Sequence, residues 1–274
     1  MIDLLRLLLS LGLSILAAGL SYRRGLLSVS GSAAAVVVGT LTAGVGGWDW
    51  GLLLILFFIS SSLLSRYGAK RKARFVSEQW EKGDRRDWGQ VFANGGSFAL
   101  LAVVWAVWPA ELVWAAAAGA LATATGDTWA TELGVLSQRA PRLITTGLPV
   151  EPGTSGGVTM LGSAAALAGG GLIGVGALLL AWGIRHTWGI GVLPSALIGG
   201  AAGVAADSLL GATVQAMRWC PRCGKATERG IHGCGMPTHP LRGWSWLTND
   251  AVNALASLIG GVVAGGLAAW ISRP

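Results

Sequence analysis

Residues 126–134 read GDTWATELG and follow the apolar run LVWAAAAGALATAT, residues 112–125. Two carboxylates and two hydroxyls therefore stand at the end of a membrane-like stretch. On a helix Asp127 and Thr131 lie four apart, as do Thr128 and Glu132, so each pair shares a face. Ionisable groups at membrane depth are costly and usually mark function. Hard oxygen donors suit Mg²⁺, which takes one or two carboxylates together with substrate phosphates. Cation transport or helix packing is the plainer alternative for the same residues.

Three more polar groups sit at the ends of apolar runs. Asp207 lies late in GVAADSLLGATVQ. Asn249, Asp250 and Asn253 open a run in LTNDAVNAL, and Asn94 opens another in QVFANGG. Asn and Asp also cap helices well, which is the structural alternative for Asn249 and Asp250. EPGTSGGVT, residues 151–159, precedes a further run. Gly153, Thr154, Ser155, Gly156 and Gly157 at a helix N-terminus suit an anion, because backbone N–H groups and the helix dipole favour negative charge. The G-K-[ST] of a P-loop is missing, and Pro-Gly-Thr also makes an ordinary turn. Beside carboxylates suited to Mg²⁺, the loop points to a phosphorylated substrate.

A separate cluster, CPRCGKATERGIHGCG, places Cys220, Cys223, His232 and Cys234 at metal-ligand spacing. Three thiolates and an imidazole complete a tetrahedral structural Zn²⁺ site. Cytoplasmic thiols stay reduced, which argues against disulfides. A compact, metal-free loop is the alternative.

The elements that position these residues are helices in a membrane. The 274 residues are 53% hydrophobic and 12% charged, with mean hydropathy +0.59; soluble domains carry about 25% charged residues. Apolar runs approach or reach the roughly 17–25 residues that cross a bilayer. The chain reads as an all-α polytopic membrane protein of about eight transmembrane helices: 4–21, 29–47, 50–65, 92–108, 110–126, 157–183, 190–212 and 250–271. Residues 1–274 form one integral-membrane domain, with 213–249 a cytoplasmic loop carrying the Cys/His cluster. Glycine, 43 residues in all, suits close helix contacts in lipid. Trp48, Trp50, Trp105, Trp108, Trp182, Trp188 and Trp270 lie near segment ends, where indoles favour the interface.

With eight spans, 17 of the 20 Lys and Arg fall in four loops on one side. The positive-inside rule makes that side cytoplasmic and both termini external. The net charge of +7 is thus a topology signal, and the scatter of basic residues among loops excludes a nucleic-acid partner. Leu7–Leu20 ends in SYRRG without a clean A-x-A site, so it reads as the first span rather than a signal peptide. A prokaryotic plasma membrane is the simplest location. Asn94, Asp127, Asp207 and the 249–253 group then share one depth, at the cytoplasmic face.

ANG at 93–95, GDTWATELG at 126–134, GTSGG at 153–157, DSLLGATVQ at 207–215, the Cys loop and NDAVN at 249–253 come in a fixed order. Together they resemble a family of transmembrane proteins that includes the chloroplast phytyl-phosphate kinase. The family is more distantly similar to CTP-dependent lipid-alcohol kinases and cytidylyltransferases, whose GD-x2-A-x3-G motif parallels Gly126, Asp127, Ala130 and Gly134. The resemblance implies phosphoryl transfer from a nucleotide, CTP by preference, to a polyprenyl monophosphate. By motif match it implicates Asn94, Asp127, Glu132, the 153–157 loop and Asp207. Asp127 and Asp207 would hold Mg²⁺, Glu132 would ligate a second metal or fix the site, and Asn94, Asn249 and Asn253 would orient phosphate or base. The family loop reads G-T-N-G-G, and Ser155 replaces the Asn here. The Lys that precedes the glycine loop in cytidylyltransferases is absent, which disfavours cytidylyl transfer. A lipid-alcohol kinase remains the rival enzyme. An ion or solute transporter is the rival of another class, and it would carry polar residues on both sides of the midplane.

Overall fold

The computed structural model describes residues 3–68, 85–185 and 191–273. Lys70, Arg71, Lys72, Arg74 and Lys82 of the basic loop, Trp188 and the side chain of Trp182 lie outside the described residues.

The helices are α1 (Leu4–Arg23), α2 (Val29–Thr40) continued by a π-helical turn (Leu41–Gly46), α3 (Trp48–Arg66), α4 (Trp88–Val107), α5 (Glu111–Gly134), α6 (Met160–Arg185), α7 (Val192–Thr213) and α8 (Asn249–Ile271). Each expected span falls on one of them. Among the described residues, seven helices are long and apolar enough to cross a membrane, α2 counting with its π-turn. The eighth long helix, α5, is the axis of the bundle, and every residue from Val113 to Gly126 is buried. A helix that meets protein on all sides needs no lipid-facing Leu or Ile, which is why Ala, Gly and Thr dominate it. Helices α6, α7 and α8 pack around α5, α4 and α3 close the remaining side, and α1 lies outermost against α2. Leu4, Leu5, Leu8, Leu13, Ile15 and Leu16 of α1 are exposed to the surroundings, as a lipid-facing helix requires.

The inner helices approach to backbone contact. A Cβ added to Gly203 of α7 or to Gly260 of α8 would strike Thr123 Oγ1 of α5, and one on Gly199 would strike the Gly260 carbonyl oxygen. Thr123 is buried, and its hydroxyl donates to the Gly119 carbonyl at 2.9 Å. Apolar side chains gain little from association in lipid, so van der Waals contact between small residues holds such helices together.

The end of the bundle away from Asp127 is aromatic. Trp50, Trp105, Trp114 and Phe98 touch one another with ring centroids 5.0–6.4 Å apart, and Trp114 Nε1 donates to the Ala177 carbonyl at 3.2 Å. Trp50 and Trp105 are 1% and 7% exposed, so they do not sit at the lipid interface as their positions near segment ends suggested. Edge and tilted contacts within the cluster draw them inward. Trp48, Trp108 and Trp270 are exposed, as expected of interfacial indoles.

At the same end, the π-turn widens α2 and turns carbonyls away from the helical ladder. Arg6 of α1 meets them: Nε donates to the Gly44 oxygen at 3.0 Å and Nη2 to the Val45 oxygen at 3.4 Å.

Among the described residues, strands occur only in the loops. β1 (Arg142–Leu143) pairs antiparallel with β2 (Gly157–Val158). Within 213–249, β3 (Met217–Cys220) is the centre of a three-stranded antiparallel sheet between β4 (Lys225–Thr227) and β5 (His239–Arg242).

Gly260→Ala forces a methyl group into the Thr123 hydroxyl and to 2.8 Å from the Gly199 oxygen. It should destabilise the protein by about 1–3 kcal/mol, the usual cost of overpacking, and lower the thermal unfolding midpoint in detergent. Gly266→Ala, on the same helix with no atom within 4 Å of the added Cβ, should leave the midpoint unchanged or raise it. Equal midpoints for the two variants would contradict this account of the bundle axis.

Candidate functional site

The contact between α5, α7 and α8 sets the register of the polar groups. Asp127 lies four residues past Thr123, Asp207 four past Gly203, and Asn253 seven before Gly260. On helices these spacings are one turn, one turn and two turns along the same face. Asp127, Asp207 and Asn253 therefore converge at one end of the bundle. With its amide nitrogen turned to donate, Asn253 reaches Asp207 Oδ2 at 2.8 Å and the Asn249 carbonyl at 3.2 Å. Asp127 and Glu228 both stand close enough for their charges to repel that of Asp207. Oxygen donors of this kind are the ones that could hold a hard cation such as Mg²⁺.

Glu132 belongs to a different face. Five residues after Asp127, it is turned about 140° around the helix, and its charge attracts Arg86. The Arg86 guanidinium lies 5.9 Å from the ring centroids of both Phe57 and Phe58. Burial pushes its pKa below the usual value, and Glu132 opposes that shift. Thr128, which shares a face with Glu132, spends its hydroxyl on the Ala124 carbonyl at 2.7 Å. Asn94 is half-buried on α4. Thr248 caps α8, with Oγ1 accepting from the Ala251 N–H at 3.5 Å. Asn249 and Asp250 thus occupy the first turn rather than the cap, Asn249 exposed and Asp250 half-buried.

The glycine loop is seated on α7. Gly153 and Gly156 have φ of 89° and 81°, a conformation that favours glycine. A Cβ on Gly156 would lie 2.6 Å from the Ala212 backbone, and one on Gly211 2.6 Å from Ser155 Oγ. Gly211 is one turn past Asp207, so the loop stands about 6 Å further along the same face. The loop does not open α6, as the sequence suggested. Its last residue, Gly157, begins strand β2, and Thr159 is the residue that caps α6, accepting from the Gly162 N–H at 2.9 Å.

Both hydroxyls of the loop are engaged. Thr154 Oγ1 donates to the Glu151 carbonyl at 2.8 Å. Ser155 Oγ donates to Gln215 Oε1 at 2.7 Å, and Gln215 Nε2 donates to Glu228 Oε1 at 2.7 Å. Gln215, 1% exposed, escaped the reading of single motifs. It lies two residues past the end of α7, and its place as the last residue of the DSLLGATVQ motif is the signal that marks it.

The relay leads into the Cys/His loop, which is bolted to α7. Arg242 donates to the carbonyls of Gly211 and Thr213 at 2.9 and 3.0 Å, completing the helix C-terminus. The donor atoms of Cys220, Cys223, His232 and Cys234 all lie within 4.8 Å of one another, and the Cys220 and Cys234 sulfurs are 3.7 Å apart. A tetrahedral zinc with Zn–S bonds of about 2.3 Å places its sulfurs about 3.8 Å apart, so the donor set fits zinc. A hydrogen bond from His232, then one from the Met236 backbone, pulls the Cys234 thiol down to about 6. The hydrogen bond between Cys223 and Cys234 pushes the Cys223 thiol up to about 11.

Comparison with known proteins places the chain in a family. Residues 12–261 match the family described as integral membrane protein DUF92. Protein PGR of Arabidopsis thaliana is 34% identical over 274 residues, 93% of each chain. An uncharacterized membrane protein of Methanocaldococcus jannaschii is 34% identical over 221 residues, covering 79% of this chain and 75% of the relative. A second, from Synechocystis, is 28% identical over 254 residues, covering 89% and 83%. No solved structure matches. The chain belongs to the DUF92 family of integral membrane proteins.

If the cluster holds zinc, purified protein should contain about one Zn²⁺ per chain, as one four-ligand site demands. Cys223→Ser should lose the metal and loosen the loop. Elemental analysis that finds no zinc in folded protein would remove the metal from this account.

Proposed function

We propose that this member of the DUF92 family is a nucleotide-dependent kinase. It converts a polyprenyl monophosphate to the diphosphate at the cytoplasmic face of a prokaryotic plasma membrane, with CTP the favoured donor. One observation carries the reading. Carboxylates on α5 and α7 stand one turn beyond the same helix crossing, at one end of a membrane bundle, with a glycine loop of positive φ one helical turn further along α7.

Phosphoryl transfer needs positioning and charge neutralisation more than covalent chemistry. Asp127 and Asp207 would hold Mg²⁺, which neutralises charge on the phosphates when bound. Asn253 fixes the Asp207 carboxylate, and the small-residue contacts beneath hold both helices in register. The acceptor is itself a phosphate, with a second pKa of about 6, so no strong base is required. A lipid-alcohol kinase would have to activate a hydroxyl instead. The aromatic cluster at the end away from Asp127 supports an enzyme over a transporter, because it fills with rings the region that a solute path would cross.

Asp127→Asn should leave the protein folded and lower turnover by at least about 10²-fold, since lost metal positioning costs several kcal/mol of transition-state stabilisation. Asp207→Asn should do the same. Glu132→Gln, on the face toward Arg86, should be milder. The measurement is a Mg²⁺-dependent assay of purified protein with prenols and prenyl phosphates against CTP, ATP, GTP and UTP. Near-normal turnover by Asp127→Asn would exclude it as a metal ligand. A wild-type protein inert toward the whole panel would refute the kinase reading.

A further inference from the structure

A cleft of about 280 Å³ opens between the glycine loop and the Cys/His loop. One wall is Glu151, Gly153, Thr154 and Ser155, and the other includes Lys225 of β4 and Glu228, which directly follows that strand. Its size approaches the roughly 300–1,000 Å³ of small-molecule sites. Its walls are held in fixed relation by the Ser155–Gln215–Glu228 relay, with both hydrogen bonds at 2.7 Å.

We infer that this cleft seats the nucleoside end of the nucleotide and that Lys225 contacts its phosphates. The inference rests on the kinase reading and assigns the Cys/His loop a direct part in it. Three observations support the assignment. The first is position. The glycine loop is one wall of the cleft and also stands one turn along α7 from Asp207. A triphosphate leaving the cleft past this loop runs toward the carboxylates.

The second is charge. Glu151 and Glu228 both line the cleft, and a triphosphate beside two carboxylates needs a cation. Lys225 is the cationic residue of the lining, and an ammonium is a good point-charge partner for phosphate. The third is the match of donors and acceptors. Carboxylates only accept hydrogen bonds, and the ribose hydroxyls and exocyclic amine of a cytidine supply donors. The nucleoside therefore faces Glu151 and Glu228 while the phosphates pass Lys225.

Strand β4 carries Lys225 two residues after Cys223, and it pairs with β3, which ends at Cys220. The Cys/His cluster thus sets the position of the lysine. In this arrangement the loop is the outer half of the nucleotide site rather than a remote brace.

The test is equilibrium binding of radiolabelled CTP with Mg²⁺ to the purified full chain in detergent, paired with steady-state kinetics. Lys225→Gln keeps a polar, unbranched stem and removes the charge. It should raise both the Kd and the KM for CTP about tenfold or more, the loss expected of one charge-assisted hydrogen bond. The KM for the prenyl phosphate should not change. Lys225→Arg should recover most of the affinity. Arg139→Ala, which removes an exposed cation outside the cleft, should bind CTP as the wild type does. A thermal midpoint equal to the wild type identifies variants that fold. A CTP Kd for folded Lys225→Gln within about twofold of wild type, under 0.5 kcal/mol, overturns the inference and leaves the kinase reading intact. Wild-type protein that binds no nucleotide overturns both.

Discussion

Everything at the polar end depends on the contact of Thr123 with Gly203 and Gly260. Helices α7 and α8 can come this close to α5 only because their own residues at the crossing, Gly203 and Gly260, leave room for the Thr123 side chain. Once the crossing is fixed, the side chains one or two turns away have no freedom of register. A larger residue there would push apart the helices that bear Asp127, Asp207 and Asn253. Precision at the site is therefore a property of the glycine crossing beneath it. Rigid elements position functional groups better than loops do, and here three helices share one fulcrum.

Much of this was legible in the sequence. The eight apolar runs became eight helices, and the membrane class followed from composition alone. The convergence of Asp127, Asp207 and Asn253 was foreshadowed by their common depth. The divergence of Glu132 from Asp127 was also written in the five-residue spacing, because five residues do not return to the same helical face. Less legible were effects that depend on what a residue meets. Trp50 and Trp105 lie near segment ends, as interfacial indoles do, and only the presence of Trp114 and Phe98 draws them inside. Thr159 caps α6 because β2 pairs with β1 and holds the glycine loop back from the helix, a pairing invisible in the local pattern.

The two halves of the candidate site come from different kinds of structure. The carboxylates ride on buried helices, whereas the glycine loop and the Cys/His loop are held by hydrogen bonds to the end of α7. Gln215 and Arg242 make that junction. Both satisfy groups that the end of a helix leaves exposed, so the loops complete α7 as much as α7 supports them. Gly243 marks how tight the junction is, since a Cβ there would strike the Gln215 carbonyl.

The π-turn of α2 bears on how such a chain is built into a bilayer. Its opened carbonyls at Gly44 and Val45 receive Arg6, thirty-eight and thirty-nine residues earlier in the chain. A lone arginine entering lipid is costly, and its partner here arrives with the very next helix. The α1–α2 hairpin therefore holds this charge and its partners within itself. The lipid-facing rim is in that respect self-sufficient, and the small-residue axis that carries the polar end is spared any part in sheltering Arg6.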